Sequence, residues 1–187
     1  MNSVEKRLLK EYKNLSNDEN SLRENGILNL NPISENNLFK WSCNITTTAE
    51  NSLYKNCIWD LEIDIPQDYP IQPPNVKFSN KKNLFKKDSS SLKNNEILFY
   101  HMIGIVPVHP NINFKNGEIC LDILKTKWTP AWTLESTIIA IKLLLDDPEP
   151  LSPLNVDAAN LIRCNDLKGY KDLINYYTKK YGKLEYR

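Results

Sequence analysis

From Val4 onward the chain sets apolar side chains at helical spacing. Val4, Leu8, Leu9, Tyr12 and Leu15 recur every three or four residues, and Lys6, Arg7, Lys10 and Lys13 fill the remaining surface. That period predicts a short amphipathic helix with Ser3 as N-cap and a basic outer face. The pattern then shifts to alternation. In "GILNLNPISENNLFKWSCNITT" and "YKNCIWDLEIDIP" apolar and polar residues exchange every other position, as half-buried antiparallel strands do. Cys57, Trp59, Leu61, Ile63 and Ile65 share one parity, and Cys43 lies inside the preceding strand pattern, so both cysteines read as core. "TTAENSLY" between the runs reads as a turn or short loop.

"PQDYPIQPPNVKF" holds four prolines in nine residues. Each fixes φ and removes a backbone donor, so the segment runs extended over a surface as a stiff strap before one last strand. Residues 79–100 are rich in Lys, Asn and Ser without a sustained period, which predicts a mobile inserted loop, at about 79–105, closing in a short strand or helix at "EILFYHMIGIV". "TLESTIIAIKLLLDDPEP" is a helix capped by Thr133 and stopped by Pro148, with Ile138, Ile139, Ile141, Leu143, Leu144 and Leu145 buried. Two shorter helices follow, broken near 165–169, with Cys164 packing on the first. Strands followed by helices predict an α+β order in one domain spanning 1–187.

Composition narrows the function classes. Lys and Arg number 24 against 23 acidic residues, so bulk charge indicates no nucleic-acid face. No apolar run reaches the roughly 20 residues of a membrane span, and the charged N-terminus does not read as a signal peptide, so a protein acting inside the cell without direct membrane insertion is expected. Cys43, Cys57, Cys120 and Cys164 are spaced by 14, 63 and 44 residues with no CxxC pair, which predicts free thiols and no metal site.

Chemistry concentrates in "HPNINFKNGEICLDIL", His109–Leu124. Cys120 sits between Ile119 and Leu121, which suits a small buried hydrophobe. Against that, the polar "FKNGEI" with Gly117 predicts a surface loop, His109 can lock a turn by hydrogen bonding, and the Asn111 amide can donate to a developing oxyanion. A cysteine hydrolase would need a histidine base beside the thiol, with His109 as the candidate. A carrier thiol, which accepts an acyl group from one thioester and hands it to an amine, needs oxyanion stabilisation more than a resident base. Asn111 and Cys120 suit the carrier better.

"HPNI", "GEICLDIL" and "WTPAWTL" together resemble the core signature of the ubiquitin-conjugating enzymes, and the resemblance extends through "KRLLKEY", "FKWSCNI", "DYPIQPPNVKF" and "LLLDDPEPLSPL" over almost the whole chain apart from the insertion. It implies that family's fold: an N-terminal helix, a four-stranded antiparallel meander, an active-site loop, then central and C-terminal helices. It implies that Cys120 holds ubiquitin as a thioester received from the ubiquitin-activating enzyme, which uses the ATP, so no cofactor is expected here. Asn111 would stabilise the oxyanion or the loop that shapes it, and His109 would be structural. Asp122 matches a family acid near the site, with a plain surface carboxylate as the other reading. Ser152 stands where many relatives carry an aspartate that positions the attacking lysine, and a hydroxyl cannot supply that charge.

The resemblance also assigns surfaces. Lys6, Arg7 and Lys10, otherwise a solvated basic face, correspond to the activating-enzyme contact; Ile71, Pro130 and Ala131 correspond to the loops that RING-type ligases grip. "LNPISENNLFKW" and "SPLNVDAANLIRCNDLKGY" are similar to the peroxisomal branch of the family in yeasts. That implies a membrane-bound peroxisomal anchor protein, attachment to the cytosolic face, and ubiquitination of the import receptor for its recycling. Tyr170, Tyr176, Tyr177 and Tyr181 are candidate anchor contacts, or helix core. Alternatives are conjugation of another ubiquitin-like modifier, or a variant that binds ubiquitin without transferring it.

Overall fold

The computed structural model describes residues 2–34, 36–47, 49–81, 98–120 and 126–186. Helix α1 (Ser3–Asn17) is capped by Asn2 rather than Ser3. Asn2 Oδ1 accepts the Glu5 amide at 2.8 Å while the Glu5 carboxylate accepts the Asn2 amide at 2.9 Å. Ser3 has Lys6 three residues on and cannot complete such a reciprocal box; Asn2 with Glu5 can. The buried stripe runs Val4, Leu8, Glu11, Leu15, so it passes through a carboxylate and leaves Leu9 and Tyr12 at its exposed margin. A short helix α2 (Glu19–Glu24) leads into the sheet.

Strands β1 (Ile27–Ser34), β2 (Asn37–Thr46), β3 (Cys57–Asp64) and β4 (Asn75–Phe78) form the expected antiparallel meander. Leu30, Cys43, Leu61 and Phe78 align in one row across all four, each buried, so the parity seen in the sequence does set the core face. β3 departs from simple alternation because its other face is buried as well. There Asp60 lies 2.7 Å from His101 Nε2, and Glu62 accepts from Ser79 Oγ at 2.8 Å and from Lys81 Nζ at 3.0 Å. Paired polar groups make that burial tolerable.

Two further strands extend the sheet. β5 (Leu98–His101) is the short strand expected at the end of the insertion, and it pairs in parallel with β3 at Cys57 and Ile58. β6 (Lys183–Tyr186), which the sequence pattern did not predict, runs antiparallel to β5. Both ends of the insertion meet β3: the Ser79 amide donates to the Asp60 carbonyl at 2.8 Å and the Met102 amide to the Ile58 carbonyl at 2.9 Å. The mobility expected for the loop concerns mainly residues 82–97, which lie outside the described residues.

Helix α3 (Leu134–Asp146) begins at Thr133, whose hydroxyl and that of Ser136 close a second reciprocal cap. Its buried face runs Leu134, Ile138, Ile141, Leu145, and Leu143, expected inside, is exposed because it falls on the opposite side of the same period. Helices α4 (Val156–Arg163) and α5 (Leu167–Tyr181) break at Asn165, which adopts φ 58°. Cys164 sits at the α4 C-cap and is exposed, not packed as expected. Cys43 and Cys57 are buried, and all four cysteines are free thiols.

Candidate active site

Residues 108–111 are tied down from three directions. His109 is fully buried, with Nε2 2.9 Å from the Leu144 carbonyl at the end of α3 and Nδ1 accepting the Asn111 amide at 3.1 Å. Since a carbonyl only accepts, Nε2 carries the proton. Burial pushes the imidazole pKa down to about 4, against a smaller upward pull from the Leu144 carbonyl. The ring is therefore neutral at physiological pH with both nitrogens engaged. It cannot serve Cys120 as a base without leaving its place.

The Asn111 side chain is equally committed. Its Nδ2 donates to the Glu149 carbonyl at 2.7 Å and to the Ser152 carbonyl at 3.2 Å, and its Oδ1 accepts the Glu149 amide at 2.8 Å. Both amide protons are thus used on the 149–152 segment. The Pro110 carbonyl accepts the amides of Leu154 and Asn155 at 2.8 and 2.9 Å. Of the two roles the sequence left open for Asn111, this geometry favours holding the loop.

Cys120 reaches the site through a tight reversal over residues 112–119, where Ile112 and Ile119 form a bridge. Gly117 adopts φ +78°, and a Cβ there would meet the Phe78 carbonyl oxygen at 1.9 Å, so only glycine fits against β4. Beyond it the Cys120 amide donates to the Asn111 carbonyl at 2.8 Å, fixing thiol and turn together. Cys120 is partly exposed, and its Sγ lies 4.0 Å from the exposed Ser152 hydroxyl. Asp122 lies outside the described residues. No group of His, Cys, Asp and Glu among the described residues is placed to hold a metal ion.

Lys6 and Lys10 are exposed, but the Arg7 guanidinium turns inward to Glu11, with Nε–Oε1 at 2.5 Å, and to the Trp132 carbonyl at 2.9 Å. Glu11 also accepts from the Tyr69 hydroxyl at 2.7 Å and the Leu134 amide at 2.8 Å. Trp128 Nε1 donates to the Pro70 carbonyl at 2.9 Å. These bonds lock α1, the proline strap and the 128–134 segment into one body that presents Ile71, Pro130 and Ala131 to solvent. Glu11 escaped the sequence reading; the available signal was its place four residues after Arg7 on the apolar stripe. Of the tyrosines, Tyr170 is core, while Tyr176 and Tyr181 are exposed with Lys180 over both rings.

The family described as ubiquitin-conjugating enzyme matches residues 7–178. A ubiquitin-conjugating enzyme E2-21 kDa of Pichia angusta is 46% identical over 99% of this chain and 98% of its own length. The E2 ubiquitin-conjugating enzyme PEX4 of Komagataella phaffii is 43% identical over 96% and 95%. Among solved structures, the H. polymorpha ubiquitin conjugating enzyme Pex4p, crystallised in complex with the soluble domain of Pex22p, superposes with a TM-score of 0.81 at 46% identity, covering 97% of this chain and 99% of that one.

Proposed function

This chain belongs to the ubiquitin-conjugating enzyme family, and from that premise we propose that Cys120 carries ubiquitin as a thioester and passes it, with a RING-type ligase, to a protein substrate. The observation that carries the reading is a partly exposed thiol fixed beside a turn whose two polar side chains, His109 and Asn111, are both bonded inward. In transfer a neutral amine attacks the thioester carbonyl, the tetrahedral oxyanion collapses with cleavage of the C–S bond, the Cys120 thiolate leaves, and the proton lost by the nitrogen passes to solvent or to that thiolate. Such a step asks first for a rigid loop around the acyl carbon. Asn111 supplies that rigidity through Glu149 and Ser152, and His109 anchors the turn to α3. ATP is consumed by the activating enzyme, which the exposed Lys6 and Lys10 meet, while Arg7, expected there too, is committed to Glu11 and the Trp132 carbonyl; Ile71, Pro130 and Ala131 meet the ligase.

The finer reading is peroxisomal, with the import receptor as substrate and a membrane-bound protein as anchor on the cytosolic face. Likeness to the PEX4 proteins and to a Pex4p crystallised with a Pex22p domain supports it. Exposed Tyr176 is the anchor contact we assign. No helix among the described residues is long and apolar enough to cross a membrane.

Ubiquitin, activating enzyme and ATP should give a band heavier by one ubiquitin on a non-reducing gel, collapsing with thiol reductant and absent from C120A. Charging with a different modifier in parallel lanes would replace ubiquitin in this account, and no band with any modifier would leave a binding-only protein. Peptide or ester turnover without a loading partner is the signature of a hydrolase, which the buried neutral His109 opposes.

A further inference from the structure

The last long helix reaches the active-site turn through two buried phenols. Tyr54, in the connection between β2 and β3, places its hydroxyl 2.6 Å from the Val108 carbonyl and 2.8 Å from the hydroxyl of Tyr170 on α5. A phenol has one proton. The shorter bond, to an oxygen that can only accept, takes the Tyr54 proton, so Tyr170 donates to Tyr54 and Tyr54 donates to Val108. Tyr170 also stands 3.4 Å from the same carbonyl. Val108 directly precedes His109, whose ring centroid is 6.2 Å from that of Tyr54.

The geometry points to Tyr54 and Tyr170 as positioning residues for acyl transfer, setting the height of the 108–111 turn from below while Asn111 clamps it from above. Two features argue for this beyond ordinary core packing. The bonds end on the backbone carbonyl that directly precedes His109, from which a displacement passes along the turn to the Asn111 carbonyl that holds Cys120. They also form a directional chain in a site that excludes water, where each bond polarises the next. Among the described residues, the other hydrogen bonds that hold the 108–111 turn run to α3, to residues 149–155 and to Cys120, so these phenols are its hydrogen-bonded link to α5.

The inference rests on the carrier reading above, and the test separates the two. Wild type, Tyr54→Phe and Tyr170→Phe are charged with ubiquitin, charging is stopped, and loss of thioester to free lysine or free cysteine is timed. Ile174→Val, which trims a buried α5 side chain outside the chain of phenols, controls for stability. Both phenylalanine variants should charge fully and discharge more slowly, roughly five-fold for Tyr170→Phe, which loses its bond to Tyr54, and more for Tyr54→Phe, which loses its bonds to Val108 and Tyr170; Ile174→Val should match wild type. In an Asn111→Ala background, Tyr54→Phe should slow discharge no further, while the two changes lower the melting temperature additively, because a position effect needs the clamp and a packing effect does not. Should Tyr54→Phe fail to fold, Tyr170→Phe, which keeps the Tyr54 to Val108 bond, decides the matter. Wild-type discharge rates in the phenylalanine variants, an equal slowing in Ile174→Val, or full multiplicativity with Asn111→Ala would overturn the inference alone. A wild type that never charges would overturn the carrier reading and this inference with it.

Discussion

The sulfur of Cys120 stands 4.0 Å from the hydroxyl of Ser152, so an alcohol flanks the proposed thioester at the position where the resemblance to the family leads us to expect an aspartate. A carboxylate there can orient an approaching amine and accept the proton it must lose, a proton that an ammonium, with an ordinary pKa about two units above that of a thiol, gives up less readily. Ser152→Asp should speed discharge to free lysine by about ten-fold, equivalent to roughly 1.4 kcal/mol in the barrier, with a smaller effect on discharge to free cysteine. Equal changes for both acceptors would remove Ser152 as the selective element.

Asn111 makes three hydrogen bonds to the 149–152 segment, two as donor and one as acceptor. Asn111→Asp keeps the acceptor and loses both donors. We expect this variant to charge normally and to discharge ten- to a hundred-fold more slowly, since about 1 kcal/mol attaches to each lost bond and the freed segment borders the thiol. Single-turnover discharge measures it, and normal discharge would deny Asn111 the loop-holding role.

His109 is held neutral in the fold, with its pKa pushed down to about 4 from an ordinary 6.5, chiefly by burial. The unfolded chain therefore binds a proton that the folded chain refuses between those values, and stability falls as pH drops from about 6.5 to about 4. The loss attributable to this residue is about 3 kcal/mol. Denaturant unfolding at intervals across that range should show a shallower fall for His109→Gln than for wild type; identical slopes would contradict the assignment.

Gly117→Ala combines a positive φ with a Cβ placed 1.9 Å from the Phe78 carbonyl oxygen. Backbone must move to relieve it, at a cost of at least about 2 kcal/mol. Because Cys120 follows three residues on, charging should slow as well as stability fall. A melting temperature within error of wild type would show that the 112–119 reversal is softer than it looks.

Lys6 and Lys10 remain exposed while Arg7 is bound to Glu11. Reversing both lysines to glutamate should raise the activating-enzyme concentration needed for half-maximal charging by about ten-fold at low salt, less at high salt. Discharge of thioester already formed should not change, which separates docking from chemistry.

The meander was legible because period-two alternation over eight or ten residues fixes a face, as the row Leu30, Cys43, Leu61, Phe78 bears out. The thiol, the turn and their neighbourhood were legible because the signature is local. Other features depend on partners distant in the chain. Glu11 reads as a surface charge until Tyr69 and Leu134 close over it. The commitment of the Asn111 amide depends on residues 38 and 41 positions away. β6 offers only four residues of pattern, and its pairing partner β5 emerges from the insertion. Leu143 was misplaced because a run of apolar residues hides which of them falls outside a 100° arc.

The two ends of the inserted connection attach to one strand, at Asp60 and Ile58, two residues apart. A gap that short can be closed by a few residues, and each doubling of a loop adds only about 0.6 kcal/mol of closure entropy. β5 itself lies within that span, so the sheet can be indifferent only to the length of chain between Lys81 and Leu98. A change of length confined to that stretch would cost little in closure entropy and would leave β4 and β5 in register on β3.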